Sequence, residues 1–129
     1  MSKLIDILQR KDELIVGKPA EDGEVDKVGK MLGVKFSDEY RSILKTFGFV
    51  CVDGHEMTGI AKAKRINVYD VTMKERANTD CDLSGLYVVE QTHIDGIVIW
   101  QSASGEVYQT VAGTRLKKVA DSIAEYLGK

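Results

Sequence analysis

The sequence contains few of the residues on which disulfide-rich, metal-binding and membrane-spanning proteins depend. Its 129 residues include two cysteines, two histidines and a single proline. Cys51 and Cys81 lie far apart and form no CxxC pair, so their spacing does not match that of a zinc site. We expect both to be reduced thiols that are at least partly buried. No apolar run approaches the roughly 20 residues that span a bilayer, and the N-terminus lacks a signal-peptide core. These absences predict a cytoplasmic protein that makes no membrane contact.

The chain also lacks an excess of basic charge. It carries 18 lysines and arginines against 20 aspartates and glutamates, for a net charge of −2 and a pI of about 5.7. A nucleic-acid binder usually shows a basic face, so we expect no direct binding to nucleic acid, although a basic protein partner remains open. A hydrophobic content of 43% is ordinary for a soluble globular protein, and the length predicts one domain over residues 1–129.

Catalytic motifs are missing as well. The serines lie in no GxSxG pattern, the glycines form neither GxGxxG nor GxxxxGK[ST], and His55 and His93 lie outside any HExxH motif. We therefore predict no catalytic residues, no metal site and no cofactor, and hence a protein that is not an enzyme. A small enzyme whose deep pocket holds converging titratable groups is the alternative.

The strongest pattern in the chain is a stretch of strands over residues 85–110. β-Branched and aromatic residues dominate it, and Asp95-Gly96 and Ser104-Gly105 supply two turn signals at strand-length intervals. It predicts three consecutive antiparallel strands, in which a two-residue turn at Asp95-Gly96 places Gln91 opposite Trp100. One face then carries tryptophan, tyrosine, histidine and glutamine, which is typical of a protein-contact patch. The alternative is that Trp100 is part of the core.

Helices are predicted on both sides of this stretch. Apolar spacing and capping residues indicate helices over about residues 2–11, 20–32 and 37–47, with Gly33 and Gly48 as terminators. Short strands are expected over residues 49–53 and 55–60, while residues 61–71 read equally as loop, helix end or strand. Thr72 with Glu75 resembles a capping box for a short helix, and a last helix is predicted over residues 115–127. Segregated helices and antiparallel strands make the predicted class α+β.

The order of these patterns resembles that of the SUKH superfamily, which includes bacterial toxin-immunity proteins and a yeast cell-wall-assembly regulator. An acidic helix leads into FSDEYRSILKTFG, where Tyr40 and Gly48 match the family pattern and Phe36-Ser37 replaces its usual proline. A glycine-bearing strand pair, GHEMTGI, follows. VYDVTMKERA then matches a V…T…R helix through Thr72 and Arg76, and the stretch from Gly85 leads to the closing VADSIAEYL.

This resemblance implies a single SUKH-like domain with a twisted antiparallel sheet flanked by helices. The core match covers about residues 20–127, and residues 1–19 form an N-terminal helix and a connection. The implied function is that of a bacterial immunity protein, or antitoxin, which binds and neutralises a cognate secreted polymorphic toxin, often a nuclease. The alternative implied by the same fold is a regulatory or scaffold domain that binds other proteins.

An inhibitor of a nuclease must cover a cationic groove that is built to hold phosphates. Carboxylates can take the place of those phosphates and speed association. We therefore expect the partner to be a protein toxin, and the chain itself to be a monomer or a weak homodimer. The predicted contact residues combine acids with side chains of the strand stretch: Glu21, Asp22, Asp80, Asp82, Glu90, His93, Trp100 and Tyr108.

Overall fold

A computed structural model describes residues 3–11, 13–79, 82–111 and 115–128. Within these ranges the protein has five α-helices and two antiparallel sheets, which confirms the α+β class. The helices are α1 (Lys3–Gln9), α2 (Asp22–Leu32), α3 (Asp38–Phe47), α4 (Val68–Ala77) and α5 (Ile123–Leu127). The strands are β1 (Leu14–Val16), β2 (Val50–Val52), β3 (His55–Glu56), β4 (Tyr87–Gln91), β5 (Ile97–Gln101), β6 (Val107–Val111) and β7 (Lys117–Ala120).

The first sheet has the order β1-β2-β3 and takes its strands from the first half of the chain. Ile15 pairs with Cys51, which in turn pairs with Glu56, so these three residues form one row across the sheet. Val50 and Val52 are buried in the core on the opposite face. The three-stranded sheet therefore packs against the core through one face.

The second sheet has the order β4-β5-β6-β7, which confirms the predicted three-strand stretch and adds one strand to it. The helix predicted over residues 115–127 is wrong in its first half, because Lys117 and Lys118 pair with Gln109 and Tyr108 of β6. Only Ile123–Leu127 is helical, after Ser122 accepts a hydrogen bond from the N–H of Glu125. Apolar spacing alone did not distinguish a helix from a strand over residues 117–120, since pairing with β6 decided between the two.

The predicted pairing of β4 with β5 is also wrong. Gln91 pairs with Val98, and beyond this pair Val89 is an extra residue that forms a bulge in β4, so Val88 pairs with Trp100. The connection is longer than two residues and includes His93 and Asp95 in left-handed conformations. Trp100 consequently lies on the face of Val88, whereas the sequence pattern placed it on the face of Tyr87.

The helix ends in the middle of the chain follow local signals. The Ser37 side chain accepts a hydrogen bond from the N–H of Tyr40, and Gly33 ends α2 in a left-handed conformation. The predicted capping box at Thr72 is wrong, because α4 begins five residues earlier, where the Asn67 side chain accepts from the N–H groups of Tyr69 and Asp70. Residues 61–71 contain a short 3-10 helix (Lys64–Ile66) followed by the first turn of α4.

Two apolar clusters form the core. The larger one includes Leu4 and Leu8 of α1, so the N-terminal helix belongs to the main core. The smaller cluster lies where α4 covers the four-stranded sheet, and its buried members are Val71, Leu83, Leu86, Val88, Val98 and Trp100. The two sheets meet where Met57 pairs with Glu90 across an isolated bridge.

Among the described helices, none combines the length and the apolar character that crossing a bilayer requires.

Candidate protein-binding surfaces

The second face of the three-stranded sheet forms the floor of a wide groove. Ile15, Cys51 and Glu56 share this face, and Phe49, two residues before Cys51, extends it. The side chain of Phe49 occupies the space beside Gly17, where a Cβ atom would lie 2.2 Å from its ring. The Gly17 N–H also donates to the Phe49 carbonyl oxygen at 3.0 Å, so a glycine at position 17 allows the chain after β1 to run close beside Phe49.

The groove has two walls. One wall is α2 together with Glu21, the residue just before it, and the helix contributes Glu24, Lys27, Val28 and Met31. The other is the segment of residues 60–69, which includes the 3-10 helix and the first turn of α4. The groove has a volume of about 1210 Å³, somewhat above the roughly 300–1,000 Å³ of typical small-molecule pockets. Its size suits a segment of another protein.

Apolar side chains are exposed at this groove. Ile15 is 64% exposed and Met31 is 51% exposed, although both are large hydrophobic residues. The sequence pattern placed Met31 on the same apolar stripe as Val25 and Leu32, yet only Val25 and Leu32 are buried. The stripe on α2 is therefore wider than the core needs, and its outer edge faces the groove.

The charges at the groove are mixed. Arg65 forms an ion pair with Glu56 beside Cys51. Burial, followed by the Glu56 carboxylate, raises the pKa of the Cys51 thiol, which is free and partly buried. Because the thiolate is the reactive form, this environment favours an unreactive cysteine. Cys81 lies outside the described residues.

A second concave site, here called the hairpin pocket, lies between the C-terminal half of α4 and the β4–β5 hairpin. Its volume is about 280 Å³. Glu75 lines it from α4, and its Oε2 atom accepts a hydrogen bond of 2.5 Å from the Gln91 side chain of β4. His93 lines it from the hairpin turn.

A buried polar cluster lies where β3, β4 and α5 meet. Glu90 is only 4% exposed, and its Oε1 atom lies 3.0 Å from His55 Nδ1. The Tyr126 hydroxyl donates to the same oxygen at 2.6 Å. Burial, reinforced by this bond to Glu90, raises the pKa of Tyr126 well above its usual range. The cluster attaches α5 to β4 and satisfies a carboxylate that would otherwise be buried without a partner.

The predicted acidic contact residues do not share one surface. Glu21 lines the groove, whereas Asp22 forms ion pairs with Arg41 and Lys45 of α3. The exposed Asp82 accepts a hydrogen bond from the N–H of Ser84 in the loop before β4. Glu90 is buried, so a contact role at the surface is corrected to a structural one. Asp80 lies outside the described residues.

The predicted contact residues of the strand stretch also separate. Trp100 is buried under α4 with no exposed surface, and its Nε1–H donates to Thr110 Oγ1 at 3.0 Å. The alternative that Trp100 is core is therefore correct, and its contact role at the surface is withdrawn. Tyr108 lies beside Trp100 on β6 and is half-buried at the edge of the smaller cluster. His93 is exposed and lines the hairpin pocket.

Some groove and pocket residues escaped the sequence reasoning. Ile15 lies in strand β1, which falls in the part of residues 1–19 predicted to be a connection. Phe49 lies in a segment that was assigned only as a short strand, and Glu75 was assigned to a capping box. The one available signal was Met31, an apolar residue on a helix whose stripe already had enough members to bury. No pattern in the sequence indicates which face of a three-residue strand will be left open.

The residues that carry the family resemblance hold the fold together. Thr72 is buried, and its hydroxyl accepts a hydrogen bond of 3.0 Å from the N–H of Val88. Arg76 donates to the carbonyl oxygens of Leu32 and Leu86, which connects α2, α4 and the start of β4. Burial lowers the pKa of Arg76. These two residues therefore position α4 rather than contact a ligand.

A glycine and a serine of the same patterns are structural as well. A Cβ atom at Gly59 would lie 2.1 Å from the carbonyl oxygen of Gly48, so no larger residue fits there. At the step where the family commonly has a proline, the N–H of Ser37 donates to the Tyr87 hydroxyl at 3.0 Å. A proline at position 37 would lack this donor, which gives the departure from the family pattern a physical reason.

The described part of the chain contains no group of three or more histidine, cysteine, aspartate or glutamate side chains arranged to hold a metal ion. The Cys51 thiol lies beside the Glu56 carboxylate in the groove, but burial and that carboxylate raise the pKa of the thiol, which disfavours its nucleophilic form. What the groove does present is exposed apolar side chains with charged groups on its walls, which is typical of a surface that binds other proteins.

Comparison with known families identifies the family to which the chain belongs. The whole chain, residues 1–129, matches a SUKH family model described as SMI1-KNR4 cell-wall. A search of curated proteins found no significant match. The match spans the resemblance that begins at the acidic helix and continues through the strand stretch to the last helix. The chain therefore belongs to the SUKH superfamily.

Proposed function

We propose that this protein is an immunity protein, which binds a cognate secreted toxin with nuclease activity and neutralises it in the cytoplasm of the bacterium that produces both. The observation that carries the proposal is the open groove over the three-stranded sheet, in a chain that belongs to the SUKH superfamily. Exposed large apolar side chains at a concave surface are typical of sites that bind other proteins. In this proposal the toxin covers Ile15 and Met31.

The proposal requires binding and no catalysis by this chain. A protein that blocks an enzyme needs area and complementarity at the active site of its target, and chemistry remains with the target. The groove offers an apolar centre with charges on both walls, an arrangement in which the apolar part supplies affinity and the rim supplies specificity. Glu21 and Glu24 on the α2 wall are the acids available to a cationic surface of a nuclease.

The first test is inhibition of the toxin encoded beside this gene. The two proteins are co-expressed and purified, and the nuclease activity of the toxin is measured with increasing amounts of this protein. We expect a stable complex and loss of activity at an equimolar ratio. Unchanged activity in a stoichiometric excess of folded protein contradicts the proposed function.

The second test places the interface. Met31→Glu introduces a charge into the groove and is expected to weaken toxin binding at least about tenfold, because contact residues at an interface centre carry most of the affinity. Met73→Glu is the matched control, since Met73 is a helical methionine that is 42% exposed and does not line the groove. Equal effects of the two substitutions contradict the assignment of the groove.

A regulatory or scaffold role is the second candidate. It is favoured by the description of the matching family, which names the cell wall. The two candidates differ in what is recovered from cells: an immunity protein is recovered with a neighbouring toxin, whereas a regulator is recovered with another stable partner and leaves toxin activity unchanged.

A further inference from the structure

The hairpin pocket contains a carboxylate that has only a neutral partner. Glu75 is half-buried, and its Oε2 atom accepts from the side-chain amide of Gln91 at 2.5 Å. In the described part of the chain, no ion pair neutralises Glu75. A half-buried carboxylate that forms no ion pair is a place where an incoming positive charge is stabilised, because the surrounding protein screens the interaction less than water does.

The rest of the pocket suits a planar cation. His93 contributes a ring at the hairpin turn, and Asn78 contributes an amide from the end of α4. A guanidinium group presents several N–H donors in one plane and stacks against flat side chains, whereas an ammonium group is a strongly hydrated point charge. A guanidinium group has donors enough for the Glu75 carboxylate and for the side-chain oxygen of Asn78, which lines the same pocket, and this favours arginine over lysine.

The turn between β4 and β5 fixes the backbone conformation of His93. His93 adopts a left-handed conformation with φ of 59°, which is uncommon for a residue other than glycine. The neighbouring Thr92 hydroxyl donates to the carbonyl oxygen of Ile97 at 2.8 Å and accepts from the N–H of Ile94. The turn is therefore closed by side-chain bonds, and one wall of the pocket is formed before any ligand arrives.

We propose that the hairpin pocket receives an arginine side chain of the partner protein, with Glu75 as its counter-ion. This inference rests on the proposed function, because it takes the partner to be a toxin with a basic surface. It adds a second contact, on the four-stranded sheet, to the apolar contact at the groove. Lys74 also lines the pocket and, as a cation, opposes the incoming charge.

The pocket is tested directly with N-acetyl-L-arginine amide as the probe. Binding is followed by chemical-shift changes in the full-length protein during titration. Glu75→Gln keeps the shape of the side chain and removes its charge. We expect it to weaken binding of the probe at least about tenfold. Lys74→Met is expected to strengthen binding, since it removes the competing positive charge. Glu13→Gln makes the same change at an exposed site outside the pocket and is expected to leave binding of the probe unchanged.

Three outcomes overturn the inference. It fails if the probe does not shift residues of the pocket, if Glu75→Gln and Glu13→Gln bind the probe equally, or if N-acetyl-L-lysine amide binds as tightly as the arginine compound. Circular dichroism of each variant establishes that a lost response is not a loss of folding.

Toxin binding supplies the second arm and separates this inference from the proposed function. If the wild-type protein inhibits the toxin and Glu75→Gln weakens the complex at least about tenfold, the complex depends on the Glu75 charge, and together with the preference of the pocket for the arginine probe this supports the inference. If inhibition is intact and Glu75→Gln has no effect on it, the inference fails while the proposed function stands. If the wild-type protein does not inhibit the toxin, the proposed function fails, and so does the assignment of the arginine to that partner.

Discussion

The two sheets of this protein share antiparallel pairing but differ in how their faces are covered. The four-stranded sheet has buried side chains on both faces, with Tyr87 and Ile99 in the larger cluster and Val88 and Trp100 in the smaller one. The three-stranded sheet buries one face and leaves Ile15 64% exposed on the other. A sheet covered twice contributes stability, whereas a sheet covered once has a face left for binding.

The reason for this difference lies in the helices. Helix α4 packs on the four-stranded sheet, where Thr72 and Arg76 bond to the backbone of β4 and its preceding residue. No described helix packs in the same way on the open face of the three-stranded sheet, and α2 and the segment of residues 60–69 stand beside that face as walls. The comparison leads to three predictions. In these the loss in free energy of unfolding on substitution is largest in the covered sheet and smallest in the open one.

The largest effect is expected at the covered centre of the four-stranded sheet. Trp100→Ala removes the largest fully buried side chain and its hydrogen bond to Thr110. We expect the free energy of unfolding to fall by about 3–5 kcal/mol. Because Trp100 is the only tryptophan, unfolding in urea is followed by circular dichroism rather than fluorescence.

Trp100→Phe is the control for this change. It keeps a ring in the site and loses the bond to Thr110, so a smaller loss of stability is expected. Unfolding of Trp100→Ala at the wild-type urea concentration contradicts the view that both faces of this sheet carry stability.

A slightly smaller effect is expected on the other face of the same sheet. Gln101 has no exposed surface, and its Oε1 atom accepts from the hydroxyls of Tyr87 and Ser37. Its Nε2 atom donates to Glu39 and to the carbonyl oxygen of Gly105. Gln101→Leu leaves these groups without their partner and is expected to cost on the order of 3 kcal/mol of stability.

The matched substitution is Gln109→Leu, on the neighbouring strand, where the side chain is only half-buried. Urea unfolding of the two variants is compared with that of the wild type. Equal losses at Gln101 and Gln109 contradict a specific role for the buried network around Gln101.

The smallest effect on stability is expected on the open face. Ile15→Ala is expected to change the free energy of unfolding by no more than about 0.5 kcal/mol, because most of this side chain is already in water. The same substitution at Ile99, which is 2% exposed in the four-stranded sheet, is expected to cost about 2–5 kcal/mol.

For toxin binding, the opposite order is expected, with a larger effect at Ile15 than at Ile99. Ile15→Ala weakens the complex with the toxin if the groove is the contact surface, whereas Ile99→Ala has no direct effect on the contact. Calorimetric titration of each folded variant with the toxin measures the difference. A large stability loss at Ile15, or unchanged binding there, contradicts the distinction between the two sheets.

Local signals in the sequence predicted much of the first half of the fold. The cap at Ser37 and the terminators Gly33 and Gly48 are confirmed, since each depends on residues within one helical turn. The strand stretch and its turn at Ser104-Gly105 are confirmed for the same reason. The family resemblance, which rests on the order of such signals, is confirmed over the whole chain.

The predictions were wrong where contacts between residues distant in the chain determine the local structure. Val89 forms a bulge that shifts the pairing of β4 by one residue and moves Trp100 to the other face. The first half of the helix predicted over residues 115–127 is strand β7, because β6 is available to pair with it. Asn67, and not Thr72, caps α4, which frees the Thr72 hydroxyl to bond to β4.

The sequence by itself determined the α+β class, the family, and the helices and strands whose signals are local, because capping, turn geometry and apolar spacing act over a few residues. Only the tertiary structure decided which sheet face is open and which carboxylate of the hairpin pocket forms no ion pair among the described residues. Exposure of Ile15 and the unneutralised charge of Glu75 depend on elements far away in the chain. Burial is a property of the packed molecule, so no pattern within β1 or α4 specifies it.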